Sequence, residues 1–155
     1  MVESASKSHE VGRRCCRMTG EYQHSLDAKG RLFIPARLRD ELGPEFYVTI
    51  SQEKCLCAYG AETWKMFSDK AAAMPMVAQQ KIRPLFAFAS KCELDAQGRV
   101  LIPQFLRDHA GLVKEVTVVG ANNHAEFWCK SDWDAKRDFE ASPENIAAVM
   151  QELGF

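Results

Sequence analysis

Residues 26–43 read LDAKGRLFIPARLRDELG and residues 94–111 read LDAQGRVLIPQFLRDHAG, with eleven of the eighteen positions identical at a constant offset of 68. The echo continues at the same offset into Val48-Thr49-Ile50 and Val116-Thr117-Val118. One residue further out of phase, Tyr59 and Trp64 are answered by Trp128 and Trp133. A repeat of fixed period constrains the fold more than any composition does, because it means two copies of one supersecondary unit. Each copy spans only about 45 residues, and units that small rarely bury enough surface to stand alone. The two copies are therefore expected to share one core, as an internal pseudo-dimer.

Nothing else in the 155 residues competes with that expectation. No apolar run approaches the roughly 18 residues needed to span a bilayer. The N-terminus has charges and cysteines but lacks the apolar stretch of a secretory signal. The six cysteines, Cys15, Cys16, Cys55, Cys57, Cys92 and Cys129, form no C-x-x-C pair. His24, His109 and His124 are scattered and form no H-E-x-x-H. By the spacing rules for zinc and disulfide frameworks these are free thiols of a reducing compartment, and neither a metal nor a cofactor is expected.

Residues 1–19 lack helical or strand periodicity and are expected to be a disordered extension, with Met18 as an alternative start. The first repeat unit is placed at 21–68, a helical linker at 69–89, the second unit at 90–134 and a C-terminal helical segment at 135–155. Within unit one, residues 21–26 and 31–34 read as strands joined in a hairpin-like bend by Asp27-Ala28-Lys29-Gly30, a turn with Asp first and Gly last. Pro35 and Gly43 bracket a short helix whose Leu38 and Leu42 form one apolar stripe. Pro103, Leu106, Ala110 and Gly111 repeat that arrangement. Strand pairs follow at 46–50 with 55–59, and at 116–119 with 126–128 across Asn122-Asn123. Helices are expected over 62–73, over 76–89 with a bend or break at Pro84, from a cap at Asp132 to Phe139, and from Ser142 to about 153. The fold class is α+β.

The D-A-x-G-R element carries the chemistry. A tight turn lifts the next side chain clear of the sheet, and Gly30 or Gly98 lets another backbone approach closely. Asp27 and Asp95 could orient Arg31 and Arg99 through charge-assisted contacts. An arginine so held can address phosphate, or bond O6 and N7 of guanine in the major groove. Lys29 at the turn apex would add a point charge. The plainer reading stands beside this one: Asp-x-x-Gly is a good turn, and an Asp four residues before an Arg is often an exposed ion pair of little consequence. Arg37, Arg39 and Arg107 fit a solvated helix face or the same anion-facing surface.

The net charge of −1 excludes a strongly basic nucleic-acid binder, so charge has to be read locally. From Asp27 to Glu41 four cations (Lys29, Arg31, Arg37, Arg39) face three anions, whereas Glu93 to Asp108 holds two cations and three anions. Copy one is the more electropositive, through Lys29 and Arg37 where copy two has Gln97 and Phe105. Enzyme signatures are missing: there is no G-x-S-x-G, Walker loop or dinucleotide fingerprint, and no nucleophile stands beside His24, Asp27 and Arg31. Trp64, Trp128 and Trp133 sit at matching repeat positions, which favours core packing over base stacking.

The run Gly20-Glu21-Tyr22, Ser25 to Arg31 and Ile34-Pro35, answered by Leu94-Asp95, Gly98-Arg99 and Ile102-Pro103, resembles the MraZ family. These are the bacterial members of the SpoVT/AbrB-like superfamily that carry two D-x-x-x-R units in one chain. The likeness runs from Gly20 to the C-terminus. It implies two SpoVT/AbrB-like repeats forming a pseudo-two-fold β-barrel with peripheral helices. It also implies ring-forming homo-oligomers in the cytoplasm and nucleoid. Their function would be transcription regulation, repressing their own division and cell-wall operon through direct repeats in promoter DNA.

By the same resemblance Arg31 matches the DNA-contacting arginine, Lys29 supports it, and Arg99 matches the second motif's arginine. Asp27, Gly30, Asp95 and Gly98 would orient the motifs. Two departures stand out: the first 19 residues have no counterpart, and Gln97 leaves the second motif without an apical cation. A ring would reconcile near-neutral charge with affinity, since linked weak contacts gain about 10²–10⁴ by effective concentration. The rival reading is an antitoxin-like or scaffold module that binds a protein partner, which is fold-level analogy.

Overall fold

A computed structural model describes residues 17–155. Among the described residues there are eight strands and six helices. In order they are β1 (Glu21–Ser25), β2 (Arg31–Phe33), α1 (Ala36–Leu42), β3 (Glu45–Ile50), β4 (Leu56–Gly60), α2 (Ala61–Ala72) and α3 (Met76–Ala87). The series repeats as β5 (Ser90–Glu93), β6 (Arg99–Leu101), α4 (Gln104–Ala110), β7 (Glu115–Gly120), β8 (Ala125–Cys129), α5 (Lys130–Glu140) and α6 (Pro143–Glu152). The α+β class and the twofold repetition are thus both present.

The copies are interlocked by strand exchange. β3 and β4 form one antiparallel hairpin and β7 and β8 the other, as the patterning predicts. Each hairpin receives its outer strand from the opposite copy: β1 pairs with β7, and β5 pairs with β3. β4 and β8 join the two halves into a six-stranded sheet of order β1-β7-β8-β4-β3-β5. A separate ribbon is made of β2 and β6, one strand from each copy.

The segment 21–34 is not the expected hairpin-like bend, because β1 and β2 belong to different sheets and the turn between them redirects the chain. The large sheet is open at β1 and β5, since the chain leaves it at the two D-A-x-G turns and pairs β2 with β6 instead of extending the edges.

The helices follow the expected chemistry. Pro35 precedes α1 and Pro103 precedes α4, burying Leu38 and Leu42 in one and Leu106 and Ala110 in the other. Gly43 and Gly111 close them with positive φ of 80° and 67°; Gly111 takes the left-handed conformation common at helix ends, whereas Gly43 has an extended ψ of 177°. α3 runs unbroken through Pro84. Asp132 lies in the first turn of α5 and does not cap it; that helix starts at Lys130. Ser142 does cap α6, accepting the Asn145 N–H.

One core binds both copies. Leu32, Ile34, Phe46, Val48 and Leu56 pack with Val100, Ile102, Leu106, Val118 and Phe127, all at 0–1% exposure. At roughly 1.5–3 kcal/mol for each such side chain, neither copy could stand without the other. The expected extension over 1–19 falls mostly outside the described residues, but its last part is structured. Met18 is 1% exposed and exchanges two backbone hydrogen bonds with Asn122, each 2.8 Å. Among the described residues no helix is long and apolar enough to cross a membrane.

Candidate functional site

The ribbon of β2 and β6 presents the two arginines. Its register sets Arg31 opposite Leu101, Leu32 opposite Val100 and Phe33 opposite Arg99. Since side chains alternate across a strand, Leu32 and Val100 occupy one face, and both are buried. Arg31, Phe33, Arg99 and Leu101 share the other. The inward pair anchors the ribbon, and the outward face carries the cations.

Each arginine is held by the aspartate four residues before it. Asp27 Oδ1 accepts the backbone N–H of Lys29 and of Arg31, both at 2.9 Å, while Oδ2 accepts Arg31 Nε at 2.6 Å. Asp95 repeats the pattern with the N–H of Gln97 and Arg99 at 2.9 Å and Arg99 Nε at 3.0 Å. One carboxylate thus fixes both the turn and the guanidinium. The Arg31 N–H holds the Asp27 carboxyl below its ordinary value, and the Arg99 N–H does the same for Asp95.

The two copies are not equal. Arg99 Nη1 also reaches Asp27 Oδ2 at 3.7 Å, so Asp27 lies between both arginines. Among the described residues the Nη atoms of Arg31 have no partner, which leaves the outer fork of that guanidinium available. Lys29 is exposed at the first turn apex, where the second has Gln97.

Gly30 and Gly98 do more than close turns. Both have positive φ, 82° and 78°. Gly30 O accepts the Ile102 N–H at 3.0 Å and Gly98 O accepts the Ile34 N–H at 2.9 Å, so each turn is tied to the other copy's strand. The guanidinium of Arg107 lies over Gly30 and that of Arg39 over Gly98. Arg107 Nε donates to Ile102 O at 2.9 Å, and Arg39 stacks over the Phe33 ring at 5.1 Å. These two arginines brace the turns, whereas Arg37 is exposed. The tryptophans pack as expected: Trp128 is 3% exposed, and Trp64 stacks on Tyr47 at 4.9 Å.

With this geometry in place, the chain matches the family described as "MraZ protein, putative antitoxin-like" over residues 18–83 and again over 85–152. The chain belongs to the MraZ family. A relative from Carboxydothermus hydrogenoformans is 46% identical over 135 residues, 84% of this chain and 94% of the relative. Relatives from Alkaliphilus metalliredigens and Acetivibrio thermocellus are each 43% identical over 139 residues, 87% of this chain and 97% of each relative. All three carry the name Transcriptional regulator MraZ. The MraZ match begins at Met18, the first buried residue of the fold.

A second cluster escaped the spacing rules. Cys55, Cys57 and Glu126 converge on the sheet surface away from the main core, beside His124, Tyr59 and Trp128. Its signal in the sequence is C-x-C answered by H-x-E, the period-two form that strands require and that a C-x-x-C spacing does not share.

Proposed function

We propose that this chain is a sequence-specific DNA-binding transcription regulator, with the outward face of the β2–β6 ribbon as its contact surface. The observation that carries this reading is the pairing of two aspartate-held, half-buried arginines on the outward face of one ribbon, braced crosswise by Arg39 and Arg107. Arg31 is the principal contact, Lys29 adds phosphate attraction, and Arg99 is the second contact; Asp27, Gly30, Asp95 and Gly98 orient them. The two repeats would be related by a pseudo-two-fold axis between Leu32 and Val100.

A single near-neutral unit binds weakly, so the reading includes a ring-forming homo-oligomer in the cytoplasm and nucleoid. Several ribbons would meet several direct repeats in the promoter of the protein's own division and cell-wall operon and repress it. A family of transcriptional regulators is not an enzyme class. The test is fluorescence anisotropy on a duplex from upstream of the protein's own gene, beside a repeat-scrambled duplex, at several salt concentrations. Repeat-dependent binding whose log K falls steeply with log salt supports the regulator. Equal binding to both duplexes sinks it and favours an antitoxin-like module with a protein partner.

A further inference from the structure

The Cys55–Cys57–Glu126 cluster lies apart from the ribbon and is not used by the DNA reading. β4 and β8 are neighbours, with Cys57 directly opposite Glu126. Cys55 precedes β4 by one residue, and His124 stands just before β8. One sulfur from each cysteine and a carboxylate oxygen of Glu126 lie within 4.8 Å of one another. Cys55 is fully buried and Cys57 is 4% exposed, and both are free thiols. Two thiols, a carboxylate and an imidazole in one buried corner are an unusual burden for a packing role alone.

We propose that this corner is a site for zinc or a similarly thiophilic divalent cation. Cys55 Sγ, Cys57 Sγ and Glu126 Oε2 would be its ligands, and His124 Nε2 the fourth. The donor set suits that class, since zinc takes sulfur, nitrogen and oxygen in a tetrahedron. Donor atoms on such an ion lie about 3.3–3.8 Å apart, so the two sulfurs and the carboxylate, now within 4.8 Å, would draw together and His124 would turn in from beside Glu126.

The surroundings match what metal ligands require. Glu126 Oε1 accepts the Trp128 indole N–H at 2.9 Å, so the carboxylate is held in place while its Oε2 faces His124. His124 Nε2 is 2.9 Å from that Oε2, and its Nδ1 is 2.7 Å from Asn123 Oδ1. Both ring nitrogens face oxygen acceptors, so an ion would displace the Nε2 proton while the amide oxygen keeps the one on Nδ1. Cys57, His124 and Glu126 also line a cleft of about 390 Å³, giving a path from solvent. Metal entry would release the thiol and imidazole protons to water.

The test uses full-length protein purified without chelator. Zinc content is measured per chain, and metal-free protein is then titrated with cobalt(II). We expect one metal per chain and a thiolate-to-cobalt charge-transfer band that saturates at one equivalent. Cys57→Ser should abolish the band. Because that change also puts a hydroxyl where a buried sulfur packs, exposed Asn123→Ala supplies the second variant: it should keep its fold and bind about 10–100-fold more weakly. Cobalt binding with no charge-transfer band would overturn the proposal. So would Asn123→Ala binding as tightly as wild type, or a Cys55–Cys57 disulfide in metal-free protein isolated under reducing conditions.

Discussion

The guanidinium of Arg107 lies against Gly30, a residue of the other repeat, so closely that a Cβ on Gly30 would stand 2.6 Å from its central carbon. Arg39 stands in the same relation to Gly98. Each turn is therefore completed by the helix of the opposite copy, and the ribbon can form only when both copies are folded.

Gly30→Ala should be destabilising for backbone reasons first. A side chain at φ 82° costs about 1–2 kcal/mol, and the new methyl displaces Arg107 besides. For a protein of this size that is a melting-temperature drop of about 2–8 °C. Calorimetry of the variant reads it directly, and an unchanged melting temperature would mean that the turn has another stable geometry.

The core beneath the ribbon gives a larger effect. Leu32 is fully buried opposite Val100 at the ribbon's centre. Truncation to alanine leaves a cavity that only partly relaxes, so Leu32→Ala should cost about 2–5 kcal/mol. Denaturant unfolding followed at two probes should show one coincident transition, because one core serves both copies. Separate transitions for the two repeats would contradict the shared-core account.

Much of this arrangement was legible in the chain. The D-A-x-G turns, the Pro-to-Gly helices with Leu38, Leu42 and Leu106, and the β3–β4 and β7–β8 hairpins are local features with local signatures. The strand exchange was not legible. Alternation in EYQHS marks a strand and its two faces but does not name the partner, and β1 pairs with a strand almost a hundred residues away. Proximity in sequence made β1 and β2 look like a hairpin. The same limit hid Cys55 and Cys57 from Glu126, since only the β4–β8 register brings them together.

Acid should loosen the two turns. The carboxyls of Asp27 and Asp95 both lie below their ordinary value of 3.8 in the folded chain, chiefly because of the N–H groups of Arg31 and Arg99. A group whose folded pKa is depressed stabilises fully above its unfolded pKa, and that contribution disappears as pH falls through the folded one. The contribution is thus present above pH 3.8 and lost progressively below it. Carboxyl NMR titrations should show midpoints below the unfolded value for both residues, moving only part of the way back in Arg31→Ala and Arg99→Ala, which lose the guanidinium but keep the backbone N–H.

Asp27 and Asp95 should differ in DNA binding. Asp27 lies between both arginines, while Asp95 holds only Arg99. Asp27→Asn should therefore weaken operator binding more than Asp95→Asn at equal fold content by circular dichroism. The reverse order in anisotropy would move the principal contact to the second repeat.

The turn apices offer the most direct check on the proposed surface, because the chain contains its own control. Lys29 and Gln97 occupy equivalent positions, exposed beyond the ribbon, and differ by one charge. Lys29→Gln makes the first apex resemble the second without touching the aspartate or the glycine. If Lys29 neutralises a phosphate, its loss should weaken natural and scrambled duplexes alike and lower the slope of log K against log salt by about 0.9 for each engaged subunit. Arg31→Ala should act differently. Loss of a base-reading fork costs about 1–3 kcal/mol at each engaged repeat, so discrimination between the two duplexes should collapse. Gln97→Lys should steepen the salt slope if the second apex also faces the backbone. An unchanged slope there, with a reduced slope in Lys29→Gln, would assign the DNA contact to the first repeat alone.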